Sequence, residues 1–512
     1  SLNTANTIVP VASIRYYGGD GISLLHNISF DYYSSEAGYY KNTTRWKPPV
    51  LFSNEYTVDY GVRLADLNND GFVDVLKGRQ SSSEKTAWLN DRSWNWTDSI
   101  SFAPPVYFVD SSDYETGARF ADFNKDGFVD LIQGNDIGGT NRKAWRNNGS
   151  GWTDVSSSMA PPIAFTDSTG RDMGVLLEDF NGDGYVDIIQ AYEITGTGIT
   201  KKAYQNNKSN GWIDVTSSWT IPTTFMKDYE DTGARLADLN GDGLVDIIEG
   251  SNKGTQVYRA WLNTGNGWTA ANDTWKPPVN FTTTARVDEG VRLADLNGDG
   301  LVDIVADYAN ASTSSKHAYL NTGHGWASAS AWQSPEPFTL NGNNIGRRIA
   351  DVNGDGFGDV LVAYGNNSVD YQYTWVKNAT TPYLLKSITN EYGGVTSLNY
   401  TDSTSYNNTG NDSLSDIGFN VNVVKSVAQN NSMQAPFGVL SLSNYSYYGG
   451  KYDYSSSEFR GFAVVNETRA DNTKAIHYFL QDDALKGKSI RQRFMMQIIF
   501  FIHKSRTRIE AY

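Results

Sequence analysis

The run GVRLADL at residues 61–67 sets apolar Val62 and Leu64 against Arg63 and Ala65, the period-two alternation of a strand with two different faces. Nine residues rich in acid, amide and glycine overlap its end. VDVLKG at 73–78, a short β-branched run that glycine closes, comes next. Then comes an apolar strand of the form AW.N or AY.N, and this order recurs around Trp88, Trp145, Tyr204, Trp261 and Tyr319. A further tryptophan stands after it at Trp152, Trp212, Trp268 and Trp326, before a proline-containing break such as WKPP at 275–278. A helix of three turns has no room in such a unit. Each unit therefore predicts three short strands, with a possible fourth after the break.

The nine-residue segments begin at Asp66, Asp122, Asp179, Asp238, Asp295 and Asp351, separated by 56, 57, 59, 57 and 56 residues. A glycine stands five residues before each of them: Gly61, Gly117, Gly174, Gly233, Gly290 and Gly346. A fixed long period marks a repeat architecture. Three or four short strands per repeat match the blade of a β-propeller, whereas a period near 57 is long for one coil of a β-solenoid. The expected fold class is all-β, a propeller followed by a smaller β-rich segment. Residues 12–46 carry GYYKNTTRWKPP without the acidic loop and read as a degenerate extra blade, so seven blades are expected, with six the alternative. The expected boundaries are a propeller over 1–380, a β-rich segment over 381–488 and an atypical tail over 489–512.

Composition agrees with a folded β protein. Aromatic residues make up 13% of 512, too many for a disordered chain, and glycine and β-formers replace helical Ala/Leu periodicity. The formal net charge of −15 repels nucleic acid and anionic lipid and favours cations. No apolar run reaches membrane-spanning length, and FMMQIIFFIH at 494–503 is about half a span. With no cysteine, disulfides and thiolate metal sites do not arise.

Within each nine-residue segment, oxygen-bearing side chains occupy positions 1, 3, 5 and 9, glycine occupies 6, and position 7 can offer its carbonyl. The six sets are Asp66, Asn68, Asp70, Phe72 and Asp74; Asp122, Asn124, Asp126, Phe128 and Asp130; Asp179, Asn181, Asp183, Tyr185 and Asp187; Asp238, Asn240, Asp242, Leu244 and Asp246; Asp295, Asn297, Asp299, Leu301 and Asp303; and Asp351, Asn353, Asp355, Phe357 and Asp359. Such a loop can wrap one Ca²⁺, which takes roughly six to eight oxygens in flexible geometry. An EF-hand would close with Glu at position 12, where the first loop has Lys77. A plain hairpin turn needs only Asp-Gly; it does not need acids at 1, 5 and 9 together, six times over. Six Ca²⁺ would take the formal charge from −15 to −3. The expectation is about six structural calcium ions.

LADLNGDGLVDI resembles the FG-GAP/VCBS repeat of integrin-like propellers, a resemblance that covers roughly residues 46–376 and implies calcium held within each blade. The arginine two residues after the repeated glycine (Arg63, Arg119, Arg235, Arg292, Arg348, with Leu176 the exception) reads as a salt-bridge or channel-lining residue. Beyond residue 380 the Tyr-rich segments YYGGKYD, EFRGF (Glu458 to Phe462) and QDDALKG (Gln481 to Gly487) resemble the B component of insecticidal toxin complexes and SpvB/Rhs-type proteins. That resemblance implies a docking propeller and the opening of a shell. The tail from Ser489 is expected to mark a truncation or frame change.

The five histidines (His26, His317, His324, His477, His503) share no ligand spacing, and no nucleophile elbow or phosphate loop occurs, so no catalytic residue and no enzyme activity is expected. Sequons at Asn27, Asn42, Asn95, Asn280, Asn378 and Asn444 fit general Asn/Ser/Thr richness. Two readings follow. In one, the chain is a secreted or surface scaffold that docks a protein partner in a toxin-complex-like assembly. In the other, it is a surface adhesin whose propeller face binds glycan or protein. The segments 80–86, 135–143 and 192–202 differ most between repeats and are expected to share one rim.

Overall fold

The computed structural model describes residues 10–495, apart from 18, 21, 35–37, 55–57, 253–254, 284–286, 311–312, 367–368, 411–413 and 434–437. The final residues of the expected tail, 496–512, lie outside the described residues. Six antiparallel four-stranded blades make the propeller. Blade one consists of Val62–Ala65, Asp74–Arg79, Glu84–Asn90 and Trp96–Asp98, paired in that order. Blades two to five repeat it over 118–154, 175–214, 234–270 and 291–328. The fourth strand opens at the repeated tryptophan, so it precedes the proline break rather than following it.

There are six blades, not seven. Residues 12–46 divide between two sheets instead of forming their own. Tyr39–Asn42 pairs with Asp370–Lys377 as the fourth strand of blade six, closing the ring with the N-terminal part of the chain. Ser13–Tyr17 and Leu24–Tyr32 enter a nine-stranded antiparallel sheet. That sheet continues through Leu385–Thr389, Val395–Asp402, Asn422–Asn430, Leu440–Asp453, Glu458–Thr468, Lys474–Phe479 and Ser489–Met495. The segment lacks the acidic loop because it is a closing strand and has no loop between a first and a second strand. Ser489–Met495 adds the last strand, so the tail's beginning continues the sheet.

Six buried clusters, one between each pair of neighbouring blades, hold the ring. Leu67, Leu76 and Phe108 of blade one meet Leu131 and Trp145 of blade two, and the closing cluster joins Phe52, Val62 and Val75 to Val352 and Leu361. In every repeat the chain after the proline break ends on a buried phenylalanine: Phe52, Phe108, Phe165, Phe225, Phe281 or Phe338. Its N–H donates to the second strand, as Phe108 does to the Gly78 carbonyl at 2.7 Å. Full burial of one such ring stabilises the fold by about 1.5–3 kcal/mol.

The repeated glycines have a single cause. Gly61 has φ 66°, and a Cβ there would stand 2.4 Å from the Gly78 carbonyl oxygen. The other five meet the matching carbonyl at 2.1–2.5 Å. Only glycine lets the first strand start this close to the second.

Candidate metal loops and the two rims of the propeller

Each nine-residue loop joins the first and second strands of its blade, so all six lie on one rim. The position-1 aspartate caps the loop's own backbone: Asp66 Oδ2 accepts from Gly71 N–H at 2.8 Å, and the equivalent bonds elsewhere span 2.5–2.9 Å. The position-5 aspartate accepts from the position-7 N–H at 2.9–3.0 Å in all six loops. Asn68 donates to Asp70 at 3.2 Å, and its equivalents Asn124, Asn240, Asn297 and Asn353 do likewise, whereas Asn181 donates to Asp187. Where position 4 is glycine, as in loops three to six, position 7 of the following loop packs against it: Leu244 against Gly182, Leu301 against Gly241, Phe357 against Gly298 and Phe72 against Gly354.

The position-9 aspartate has a second task. Asp74, Asp130, Asp187, Asp246, Asp303 and Asp359 are fully buried. One oxygen of each accepts from an N–H of the third strand at 2.6–2.8 Å. In five loops the other accepts from the N–H at position 2. Among the described residues no group of three or more His, Asp or Glu side chains is arranged to hold a metal ion.

Charge and donor type nevertheless fit a hard cation. Burial, and after it the repulsion of Asp70, pushes Asp66 up to about 7. Burial likewise raises Asp130 to about 9, Asp187 and Asp303 to about 8 and Asp246 to about 7. It raises Asp351 to about 7 and Asp355 to about 6, and takes Asp74 and Asp359 well above the usual range. Asn68 Oδ1 is buried without a hydrogen-bond partner. Crowded carboxylates and an orphaned amide oxygen suit an oxygen-seeking cation that neutralises them.

The two rims differ. Residues 403–410 and 414–421, in the connection between Val395–Asp402 and Asn422–Asn430, and Tyr454 lie across the loops of blades six, one and two. Thr404 Oγ1 donates to the Gly354 carbonyl, Asn420 Nδ2 to the Asp355 carbonyl at 2.8 Å, and Asn69 Nδ2 to the Ser415 carbonyl at 3.2 Å. Tyr454 donates to Asn69 Oδ1 at 2.8 Å. The opposite rim carries the hairpins between second and third strands. Their tips at Gln80–Ser83, Gly138–Thr140 and Thr195–Ile199 are exposed, with Ile199 61% accessible. The three variable segments thus share the rim remote from the acidic loops.

The repeated arginines form an ion-pair belt around the axis. Arg63 bonds Asp59 at 2.8 Å within its blade and Glu115 of the next at 3.3 Å; Arg119 bonds Glu115 and then Asp172, both at 3.1 Å. Arg235–Asp231 and Arg292–Asp288 continue it. Leu176 and Asn344 are the two breaks, and Asn344 gives Arg348 an amide oxygen at 3.0 Å where other blades give a carboxylate.

Sequence reasoning missed one set of residues. The asparagine ending AW.N lies under the rim: Asn90 Nδ2 donates to the Val352 carbonyl, Asn147 to Leu67, Asn206 to Phe123, Asn263 to Phe180 and Asn321 to Leu239, all at 2.7–2.8 Å. Each clasps the preceding blade's loop. Its invariance of spacing was the available signal. Blade six has Lys377 there, with its ammonium 4.0 Å from the Trp332 ring and 4.2 Å from Tyr39.

Residues 66–133, 122–190 and 238–306 match the FG-GAP-like repeat, and residues 327–491 match the insecticide toxin TcdB middle/N-terminal region. The chain thus carries FG-GAP-like repeats in its β-propeller and, after them, a segment that matches the TcdB middle/N-terminal region. Among solved structures it is similar to the Tc holotoxin pore of Photorhabdus luminescens, with a TM-score of 0.61 and 18% identity over 92% of this chain. It is also similar to TcdB2-TccC3 without the hypervariable C-terminal region (TM-score 0.54, 17% identity, 93% covered) and to TcdB2-TccC3-Cdc42 (0.53, 17%, 93%). The chain spans 22% of the length of each of these chains. No curated protein matches it.

Proposed function

We propose that the chain is a calcium-stabilised, non-catalytic scaffold of an exported toxin-complex-like assembly, which docks a protein partner through the hairpin rim. The observation that carries this reading is the opposition of the rims. The acidic loops of blades six, one and two lie against the chain of the nine-stranded sheet, and the variable hairpins at 80–83, 138–140 and 195–199 are exposed at the other end. Variable loops on a rigid scaffold suit recognition. Similarity to Tc structures, one of them a holotoxin and others joined to TccC3, supports a multi-protein setting.

In each loop the side-chain oxygens at positions 1, 3, 5 and 9 and the carbonyl at 7 would hold Ca²⁺, which supplies charge neutralisation and no chemistry. The loops keep their backbone bonds, and the position-9 carboxylate ties the site to the third strand. Among the described residues no helix is long and apolar enough to cross a membrane.

The test replaces residues 193–200 by a Gly/Ser linker of equal length and measures binding to the remaining components of the assembly by surface plasmon resonance. Folding and calcium content should persist while binding weakens at least tenfold. Unchanged binding would remove this rim as the docking surface.

A further inference from the structure

The turn between the third and fourth strands of blade one departs from its counterparts. In blades two, four and five that turn places glycines at two left-handed positions: Gly149 and Gly151, Gly265 and Gly267, Gly323 and Gly325. Blade three keeps the second as Gly211 and has Lys208 at the first. Blade one spells Asn-Asp-Arg-Ser-Trp-Asn-Trp over 90–96, as long as the turn of blade three and one residue longer than those of blades two, four and five, and holds Arg92 at φ 58° and Trp94 at φ 78°. Large side chains adopt this backbone only at a cost, which the surroundings must sustain. The outlier therefore asks for a use.

Both side chains border a cleft of about 940 Å³ between this turn, the first acidic loop and residues 404–407, 409, 414 and 415. Trp94 is 45% exposed in it. The Arg45 guanidinium lies 3.6 Å over the Trp94 ring, and Trp46 meets that ring edge-on at 6.5 Å, so the indole is held from beneath and from the side. Arg92 is pinned by Asp70 at 3.1 Å and lies 5.5 Å over Phe72. Asp91 Oδ1 caps the turn through Ser93 and Asn95 N–H at 2.7 and 3.0 Å, and Asp91 lines the cleft. Asn407 and Thr409 supply amide and hydroxyl groups on the facing wall.

The charges decide the ligand class. Asp70, Asp91 and Arg92 are the charged side chains that line the cleft, and Arg45 is stacked on Trp94, so no cluster of positive charge is there to select a phosphate. A fixed, half-exposed indole beside carboxylate, amide and hydroxyl groups matches the face of a pyranose ring and its hydroxyls. The volume falls in the range for small-molecule sites, roughly 300–1,000 Å³, enough for a short oligomer. We propose that this cleft binds a neutral oligosaccharide, with Trp94 as the stacking platform and Asp91 as a hydroxyl acceptor. The site lies on the rim opposite the docking hairpins and stands independently of them.

The test uses the full chain with N-acetylchitotriose, cellotriose and maltotriose as probes, read by saturation-transfer NMR and tryptophan fluorescence. At least one should bind saturably. Trp94→Gly places at this left-handed position the residue that tolerates it and relieves the backbone, so it should keep the melting temperature while weakening binding at least tenfold. Asp91→Asn retains the turn cap and should weaken binding several-fold. The proposal is overturned if none of the three sugars binds, if Trp94→Gly binds as well as the parent, or if Trp94→Gly melts early while Asp91→Asn binds like the parent.

Discussion

Among single residues, the first glycine of each repeat and the position-5 aspartate show how differently sequence speaks. Gly61 and its counterparts stood out by spacing alone, but their reason, a carbonyl 2.1–2.5 Å from any Cβ, exists only between strands. The acids were legible as a set because three carboxylates in nine residues repel one another. What the sequence did not carry was the division of labour, with position 9 buried and hydrogen-bonded to a distant strand. These raised carboxyl groups give calcium-stripped protein a defined pH response. Asp66, Asp187, Asp246, Asp303 and Asp351 sit at about 7–8 in the fold, against about 3.9 unfolded, so the fold binds their protons more tightly. That contribution is full below the unfolded value and is lost as pH rises through the folded one. Lys377, lowered to about 7 by burial, stays charged in both states over most of this window and changes little below pH 7. The stripped protein should therefore melt at lower temperature at pH 7 than at pH 5, and Ca²⁺ should reverse the trend. Scanning calorimetry at the two values checks it, and a higher melting temperature at pH 7 without metal would contradict it.

For strands and turns, the period-two runs located the first three strands of each blade, because alternation reports a half-buried strand directly. The fourth strand was misplaced. Three residues such as Trp96–Asp98 are too short to show a period, and the break after them served as a stronger marker than it deserved. The asparagine clasps were hidden for a related reason: their partner carbonyls lie some 80 residues away, as Leu67 does from Asn147. Asn147→Ala removes a buried donor and leaves the Leu67 carbonyl unpaired, at a cost of about 1–3 kcal/mol. Chemical denaturation of the variant should show that loss, together with earlier proteolysis between blades one and two. Unaltered stability would mean that the clasp is incidental.

For the whole molecule, blade number was the point on which sequence misled. Residues 38–49 do resemble the end of a repeat, and they are one, belonging to blade six across the ring's seam. A linear reading cannot tell a decayed blade from a closing strand, since both lack the loop. Ring closure makes a prediction of its own. A chain beginning at residue 47 loses Tyr39–Asn42 and Trp46 from the seam, where Thr374 Oγ1 now donates to the Trp46 carbonyl at 2.7 Å. It should melt earlier and show an increased hydrodynamic radius by small-angle scattering; an unchanged radius and melting temperature would contradict closure by this strand.

The claim that joins the three scales is that six loops of one design each hold a calcium ion and thereby rigidify a docking scaffold. Native mass spectrometry in calcium-containing volatile buffer counts those ions directly, on the intact chain and on Asp242→Ala, whose loop in blade four is the most open to solvent. Sites of the extracellular kind, with dissociation constants on the order of 10⁻⁴–10⁻³ M, fill at about 10 mM Ca²⁺. The account predicts six bound Ca²⁺ on the parent and five on the variant. A spectrum of the folded parent that carries no calcium, or a variant with the same count as the parent, would contradict it.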